Sequence, residues 1–270
     1  MSRPAPLGLA AACLLSAWLA GCSCATAKEP APSAGSLRTS APGALKVLFV
    51  GNSLTYVNDL PRMVGALAEA SGAAPLDAEV VTIGGANLDD LWADGRAPRA
   101  LASGGFKFVV LQQGPTSQAE GRPQLVASAV RIAAEAARVG TRPAFYSVWP
   151  DEEYAARIHR PLPEAFAAAA ESYAAASRAV NGLLLPAGAA WEAAWRKDPS
   201  LPLYGPDRFH PSPVGTLLAA IVVYQGLYGA PPSKKPERIP VGPTASLRVK
   251  DALWADLLAA AAEATRLVAR

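Results

Sequence analysis

The sequence predicts an α/β domain built around a parallel sheet of about five strands. Short apolar runs, typical of buried parallel strands, alternate five times with longer segments of helical character. Such alternation favours a parallel sheet joined by right-handed crossovers. The chain has 270 residues, 51% of them hydrophobic, so it can bury one good core and a single folded domain is expected.

The predicted strands are all short. They are residues 46–50 (KVLFV), 78–83 (AEVVTI), 106–111 (FKFVVL), 142–148 (RPAFYSV) and 182–185 (GLLL). Asn58 or Asp59 can cap the first helix, which runs to about residue 71, and Pro61 and Gly72 are typical of its two boundaries. The other helices are predicted at residues 88–102 (one or two short helices), 122–139, 162–180, 214–228 and 251–268.

Residues 1–21 are predicted to be a secretory signal. Their apolar stretch, residues 7–20, is shorter than the roughly 20 residues that a membrane span needs. It ends in Leu-Ala-Gly-Cys, which resembles the bacterial lipobox, and this resemblance implies that Cys22 is lipidated and becomes the mature N-terminus. The alternative is an ordinary signal peptide that happens to carry a cysteine.

A flexible tether is expected at residues 22–45, which are rich in Ala, Pro, Ser, Thr and Gly. The folded domain would then span residues 46–270. We therefore expect a lipid-anchored protein of the bacterial cell envelope, on the periplasmic face or the cell surface, that contacts the membrane through its anchor only.

Composition excludes several classes of function. With 17% charged residues and a net charge of +3, the chain offers no basic surface for nucleic acid. Its three cysteines, at positions 13, 22 and 24, all precede the domain, which leaves neither a disulfide framework nor a thiol nucleophile there. No metal-ligand cluster and no phosphate-binding glycine loop is recognisable, so no metal and no cofactor is expected.

Ser53 follows the first predicted strand on a tight Gly-Asn-Ser turn. In a parallel α/β sheet the ligand crevice lies at the carboxyl ends of the strands, which favours a functional serine. A nucleophilic serine needs a nearby base, itself oriented by a third group. The chain has two histidines. His159 lies among arginines and is expected to be solvated, whereas His210 lies in a Gly- and Pro-rich loop.

Asp207 precedes His210 by three residues, a spacing that lets its carboxylate reach the imidazole Nδ1–H while Nε2 points outward. Alternatively, Asp207 is a turn residue, and Ser212 or His210 caps the following helix. Taken alone, Asp-x-x-His leaves both interpretations open.

The segments VLFVGNSLT and DRFHPSPVG resemble the first and last blocks of the SGNH (GDSL-type) serine esterases. The resemblance covers residues 46 to about 228, with Gly-Asn-Ser-Leu in place of the more usual Gly-Asp-Ser-Leu. It implies a flavodoxin-like α/β/α sandwich in which Ser53 is the nucleophile, His210 the base and Asp207 the orienting acid.

The two middle blocks of that family supply an oxyanion hole together with the Ser53 backbone N–H. TIGGANLDDLW resembles the second block, which implies the N–H of Gly85, with Gly84 as its neighbour. The third block departs from the family pattern, since Thr116 stands where an ungapped match places the usual Asn. Gln113, before Gly114, is our first candidate for the third donor.

Three further expectations complete the site. Gln112 is the second candidate for the third oxyanion donor, and Asn52 is a candidate substrate-binding residue. Trp149, at the end of the fourth strand, either walls the cleft and stacks on a sugar or lies in the core.

These observations predict a serine esterase acting through an acyl-enzyme on acetyl or other short-chain esters of a small molecule or carbohydrate. The alternatives are a lipase or thioesterase, an O-acetyltransferase, and a non-catalytic glycan-binding lipoprotein on the same fold.

The lipobox predicts one modified cysteine. Cells that express the full chain and are fed labelled palmitate should incorporate label into the wild type and the Cys24→Ser variant but not into Cys22→Ser. An unlabelled wild type would leave an ordinary signal peptide as the explanation of residues 1–21.

Overall fold

The computed structural model describes residues 42–114 and 121–268 of the chain. Its centre is a sheet in the order β2-β1-β3-β4-β5, with every neighbouring pair parallel. This is the strand order of flavodoxin-like folds, so the predicted α/β class is confirmed. The strands are β1 (Leu45–Gly51), β2 (Leu76–Thr82), β3 (Phe108–Leu111), β4 (Arg142–Tyr146) and β5 (Leu183–Leu185).

Helices cover both faces of this sheet and make it the middle of three layers. One layer holds α3 (Leu88–Ala93), α4 (Arg96–Ser103), α5 (Gly121–Arg138) and α7 (Leu162–Ala179). The other holds α2 (Leu60–Ser71), α8 (Ala187–Lys197), α9 (Pro213–Tyr228) and α10 (Asp251–Val268). Two short helices, α1 (Ser53–Tyr56) and α6 (Glu152–Arg157), follow the ends of β1 and β4.

The predicted strands and helices are confirmed, with boundaries that differ by a few residues. Asp59, not Asn58, caps α2, because its side chain accepts a hydrogen bond from the Arg62 N–H. Four features were not predicted: α1, α6, α8 and a two-stranded antiparallel ribbon of β6 (Ile239–Val241) and β7 (Ala245–Leu247). Helix α6 and the ribbon strands are too short for a periodic apolar pattern to register.

Several sequence-based expectations fall on residues 1–41, 115–120 and 269–270, which lie outside the described residues. They include the signal, most of the tether and the lipidation of Cys22. The comparison at Thr116 also falls there. All of these stay predictions.

Strand β1 determines where the functional crevice lies. Residues 47–50 are fully buried because β1 is paired on both edges and covered on both faces. The chain leaves β1 toward β2 on one side and returns to β3 on the other, so a crevice opens where β1 and β3 end. Ser53 and Gln112 follow these two strand ends.

A cluster of aromatic rings supports the loop that carries Asp207 and His210. Trp149 stacks on Trp191, with ring centroids 3.7 Å apart, and Tyr204 packs edge-on against Trp191. Helix α9 approaches this cluster closely at Gly215, where a Cβ would lie 2.2 Å from the Leu203 carbonyl oxygen. Only glycine permits that approach, so the residue type at 215 determines how the loop rests on the core.

The described part of the chain shows neither a membrane-spanning helix nor a metal-ligand cluster. None of its helices combines the length and the apolar character needed to cross a bilayer. It contains no group of three His, Cys, Asp or Glu residues that could hold a metal ion.

Candidate active site

Ser53, His210 and Asp207 form a continuous hydrogen-bonded chain. His210 Nε2 lies 2.8 Å from Ser53 Oγ, and His210 Nδ1 lies 2.5 Å from Asp207 Oδ2. Two residues 157 positions apart in sequence thus come into direct contact because β1 and the loop before α9 end at the same edge of the sheet. His210, rather than His159, is the histidine that contacts Ser53; His159 lies exposed after α6.

Hydrogen bonds fix the ionisation state of Asp207. Burial of the carboxyl by itself would raise its pKa, but bonds from the His210 ring and from the backbone N–H groups of Phe209 and His210 outweigh burial, and the pKa lies below its ordinary value. Asp207 Oδ1 accepts the two backbone bonds, at 3.2 and 2.9 Å. A carboxylate held in this way is a hydrogen-bond acceptor, so His210 Nδ1 carries the proton and Nε2 is free to accept one.

The turn that presents Ser53 is braced by Gln112. The Gln112 Oε1 accepts bonds from the Asn52 N–H (3.0 Å) and the Thr55 hydroxyl (2.7 Å), and its Nε2 donates to Asn52 Oδ1 (3.0 Å). A Cβ at Gly51 would lie 2.6 Å from the same Oε1, so glycine is required there. Both polar side-chain atoms of Gln112 are thus engaged in the turn, which favours Gln113 as the candidate oxyanion donor.

Asn52 is likewise a bracing residue. Its Oδ1 also accepts a bond from the Leu54 N–H, its Nδ2 donates to the Ala86 carbonyl (3.0 Å), and the side chain is 1% exposed. Each polar atom of the Asn52 side chain thus makes a hydrogen bond inside the protein, and a role in binding substrate stays a prediction. An aspartate here would bury a charge and lack the donor that reaches Ala86.

The loop after β2, which contains Gly85, is bonded to the turn that carries Ser53. The Ile83 N–H donates to the Gly51 carbonyl (3.2 Å), and the bond between Asn52 and Ala86 holds the other end of the loop. Gly85 is exposed and has a φ of 69°, in the left-handed region that favours glycine. Neither the Ser53 N–H nor the Gly85 N–H donates a hydrogen bond to any described residue.

Gln113 presents a free donor beside them. Its Oε1 accepts a bond from the Leu88 N–H at the start of α3 (3.1 Å), which orients the amide. Its Nε2 bonds to no described residue, and the residue is 3% exposed. The backbone of Gln113 is held by the Tyr173 hydroxyl, which donates to the Gln113 carbonyl (2.6 Å) and accepts from its N–H (3.0 Å).

Trp149 lies in the core and does not wall the cleft. Its side chain is fully buried against Trp191, so it has no face for a sugar. Its indole N–H donates to the Phe209 carbonyl (3.0 Å), next to His210. Sequence reasoning missed this contact, since it joins two loops 60 positions apart.

Two comparisons with known sequences give no match: no protein-family model and no curated protein matches the chain. Solved structures do resemble it. A protein from Slackia heliotrinireducens assigned as an SGNH hydrolase is 29% identical, with a TM-score of 0.58, over 68% of this chain and 99% of its own.

Two other solved structures share the fold at lower identity. A DUF4886 family protein from Bacteroides uniformis has a TM-score of 0.63 at 17% identity and covers 82% of this chain and 94% of its own. An acetylxylan esterase from Geobacillus stearothermophilus has a TM-score of 0.53 at 15% identity and covers 72% of this chain and 98% of its own.

Proposed function

We propose that this chain, which belongs to the SGNH superfamily of ester-hydrolysing enzymes, is a serine esterase that works through an acyl-enzyme. One observation supports this above all: the unbroken hydrogen-bond chain from Ser53 through His210 to Asp207. A merely capping serine would have no reason to face an imidazole whose other nitrogen is held by a carboxylate.

In the first half of the reaction Ser53 Oγ attacks the carbonyl carbon of the ester. His210 Nε2 takes the hydroxyl proton as the new C–O bond forms, and the Asp207 carboxylate stabilises the resulting imidazolium. The tetrahedral intermediate then collapses, its bond to the alcohol oxygen breaks, and His210 returns the proton to the departing alcohol. Ser53 is left as an acyl ester.

In the second half water takes the place of the alcohol. His210 removes a proton from the water as the water oxygen attacks the acyl carbon, and then protonates Ser53 Oγ as the acid leaves. The base must be neutral at the start of each half.

The negative charge on the carbonyl oxygen needs preorganised donors. The N–H groups of Ser53 and Gly85 and the Nε2 of Gln113 are the three candidates, and their lack of partners among the described residues supports this role. Donors that are already oriented cost no reorganisation when the charge develops, which is the largest single source of stabilisation in many acyl-transfer sites.

We further propose that the acyl group is acetyl or similarly short and that the alcohol is a carbohydrate. The Gln-Gly pair after β3 is similar to the pattern in some carbohydrate acetylesterases, and an acetylxylan esterase shares the fold. Tyr56 lies three residues after Ser53 on α1 and is 43% exposed. Positions three apart share a helix face, so Tyr56 is the aromatic residue suited to stack on a sugar beside the nucleophile.

Loss of the nucleophile or of the base should abolish turnover. Ser53→Ala and His210→Ala should each reduce hydrolysis of p-nitrophenyl acetate by a thousandfold or more, roughly as triad deletions do elsewhere. Thermal unfolding should stay near that of the wild type. His159→Ala is the matched control and should retain full activity.

A fluorophosphonate probe should label the wild type at Ser53, and a folded wild type that is not labelled would favour a non-catalytic glycan-binding module.

The two neighbouring glutamines should behave differently. Gln113→Ala and Gln113→Glu should each lower kcat by about a hundredfold, because an oxyanion donor is lost; the Glu variant keeps an acceptor for the Leu88 N–H. Gln112→Ala should lower the free energy of unfolding by roughly 2 to 4 kcal/mol, because buried partners are left unsatisfied. Steady-state kinetics and urea denaturation measure both. An active Gln113→Glu variant would contradict the donor assignment.

Substrate preference can be measured with p-nitrophenyl esters from C2 to C12. We expect kcat/KM to be highest at C2; a maximum at C8 or longer would favour a lipase or thioesterase.

Tyr56→Ala should raise KM several-fold for an acetylated xylo-oligosaccharide and leave the KM for p-nitrophenyl acetate nearly unchanged, whereas Tyr56→Phe should behave as the wild type. Equal effects on both substrates would exclude sugar stacking.

A further inference from the structure

The loop that carries the base is held at four consecutive backbone carbonyls. Each carbonyl accepts a hydrogen bond from a different part of the molecule, at 2.7 to 3.2 Å. The pairs are Arg208 with the Glu152 N–H, Phe209 with the Trp149 indole N–H, His210 with the Gly205 N–H, and Pro211 with Asn58 Nδ2.

The contact at Phe209 bears on His210 most directly. The Phe209 carbonyl and the His210 N–H belong to one planar peptide unit, so fixing one end fixes the direction of the other. Trp149 Nε1 holds the carbonyl at 3.0 Å, and Asp207 Oδ1 holds the N–H at 2.9 Å. The other carboxylate oxygen of Asp207 holds the imidazole Nδ1, so the peptide plane, the carboxylate and the ring are oriented as one unit.

Trp149 is itself rigid. It is fully buried, its ring is parallel to Trp191 within 8° at 3.7 Å, and Tyr146 packs against it edge-on. It lies three residues after the end of β4, so its buried indole N–H is fixed relative to the sheet that also carries Ser53. Because this donor has so little freedom, it fixes the position of the Phe209 carbonyl. The rest of the loop that carries His210 is only partly buried.

We propose that Trp149 is a positioning residue for the base: its indole N–H, acting through the Phe209–His210 peptide unit, aligns His210 Nε2 with Ser53 Oγ. The inference rests on the proposed esterase activity and assigns to the core tryptophan a role in catalysis that its packing alone does not require. A displacement of about 1 Å between reacting groups can cost up to a hundredfold in rate, so loss of this alignment should be visible in kcat.

The experiment removes the N–H and keeps the aromatic packing. Trp149→Phe, and separately benzothienylalanine at position 149, in which sulfur replaces the N–H in a ring of nearly the same size, are compared with the wild type. We expect kcat for p-nitrophenyl acetate and the rate of fluorophosphonate labelling of Ser53 to fall about tenfold or more, with KM unchanged within about twofold.

Trp195 provides the matched control. Its indole N–H donates to the Leu201 carbonyl (2.8 Å), and its ring packs in the same aromatic cluster. Trp195→Phe therefore loses the same kind of bond outside the Asp207–His210 unit and should keep the wild-type kcat. Thermal unfolding of all variants ensures that rates are compared on folded protein.

The outcomes separate the two proposals. If the wild type neither hydrolyses esters nor reacts with the probe, the proposed function fails. If the wild type is active and both changes at 149 leave kcat and labelling within about twofold of the Trp195→Phe control, the positioning role is overturned. Should Trp149→Phe not fold, the benzothienylalanine variant decides the question alone, because it preserves the ring volume.

Discussion

A single buried side chain, Gln112, joins the carboxyl ends of β1 and β3, and the candidate site is arranged around that junction. Its amide oxygen accepts hydrogen bonds from Asn52 and Thr55, and its amide nitrogen donates one to Asn52. In a low-dielectric interior such bonds are strong when satisfied and costly when broken, so they specify one geometry. Because Asn52 also bonds the Ala86 carbonyl, the junction fixes the turn of Ser53 and the loop of Gly85 together.

The proposed nucleophile and the proposed base are held by two different sets of contacts, which are joined at the hydrogen bond between Ser53 and His210. The hydrophilic junction at Gln112 holds one side, and the aromatic stack behind Trp149 holds the other. Both sets of contacts act on backbone groups next to the reactive side chain. These groups are oriented when the protein folds. In the proposed reaction the geometry therefore need not be assembled at each turnover.

The Gly-Asn-Ser-Leu variant of the first block has a physical explanation in this junction. Asn52 donates to the Ala86 carbonyl and accepts from Gln112 Nε2, a pair of roles that an ionised aspartate could not fill. With Gln112 committed to Asn52, the adjacent Gln113 has the unpaired amide nitrogen, and its oxygen on the Leu88 N–H keeps that nitrogen oriented.

The sequence by itself determined the parallel α/β fold and the location of Ser53 after β1, and it made the pairing of Asp207 with His210 one of two open interpretations. These depend on local patterns: apolar runs, turn residues and a three-residue spacing. Only the tertiary structure shows that Gln112 bonds the turn of Ser53 whereas Gln113 bonds the Leu88 N–H, because neighbouring side chains leaving a strand point in opposite directions and the sequence does not say which way each one points. It also decided that Asn52 and Trp149 brace the site, since their partners lie 34 to 60 positions away and are brought near only by the packed sheet.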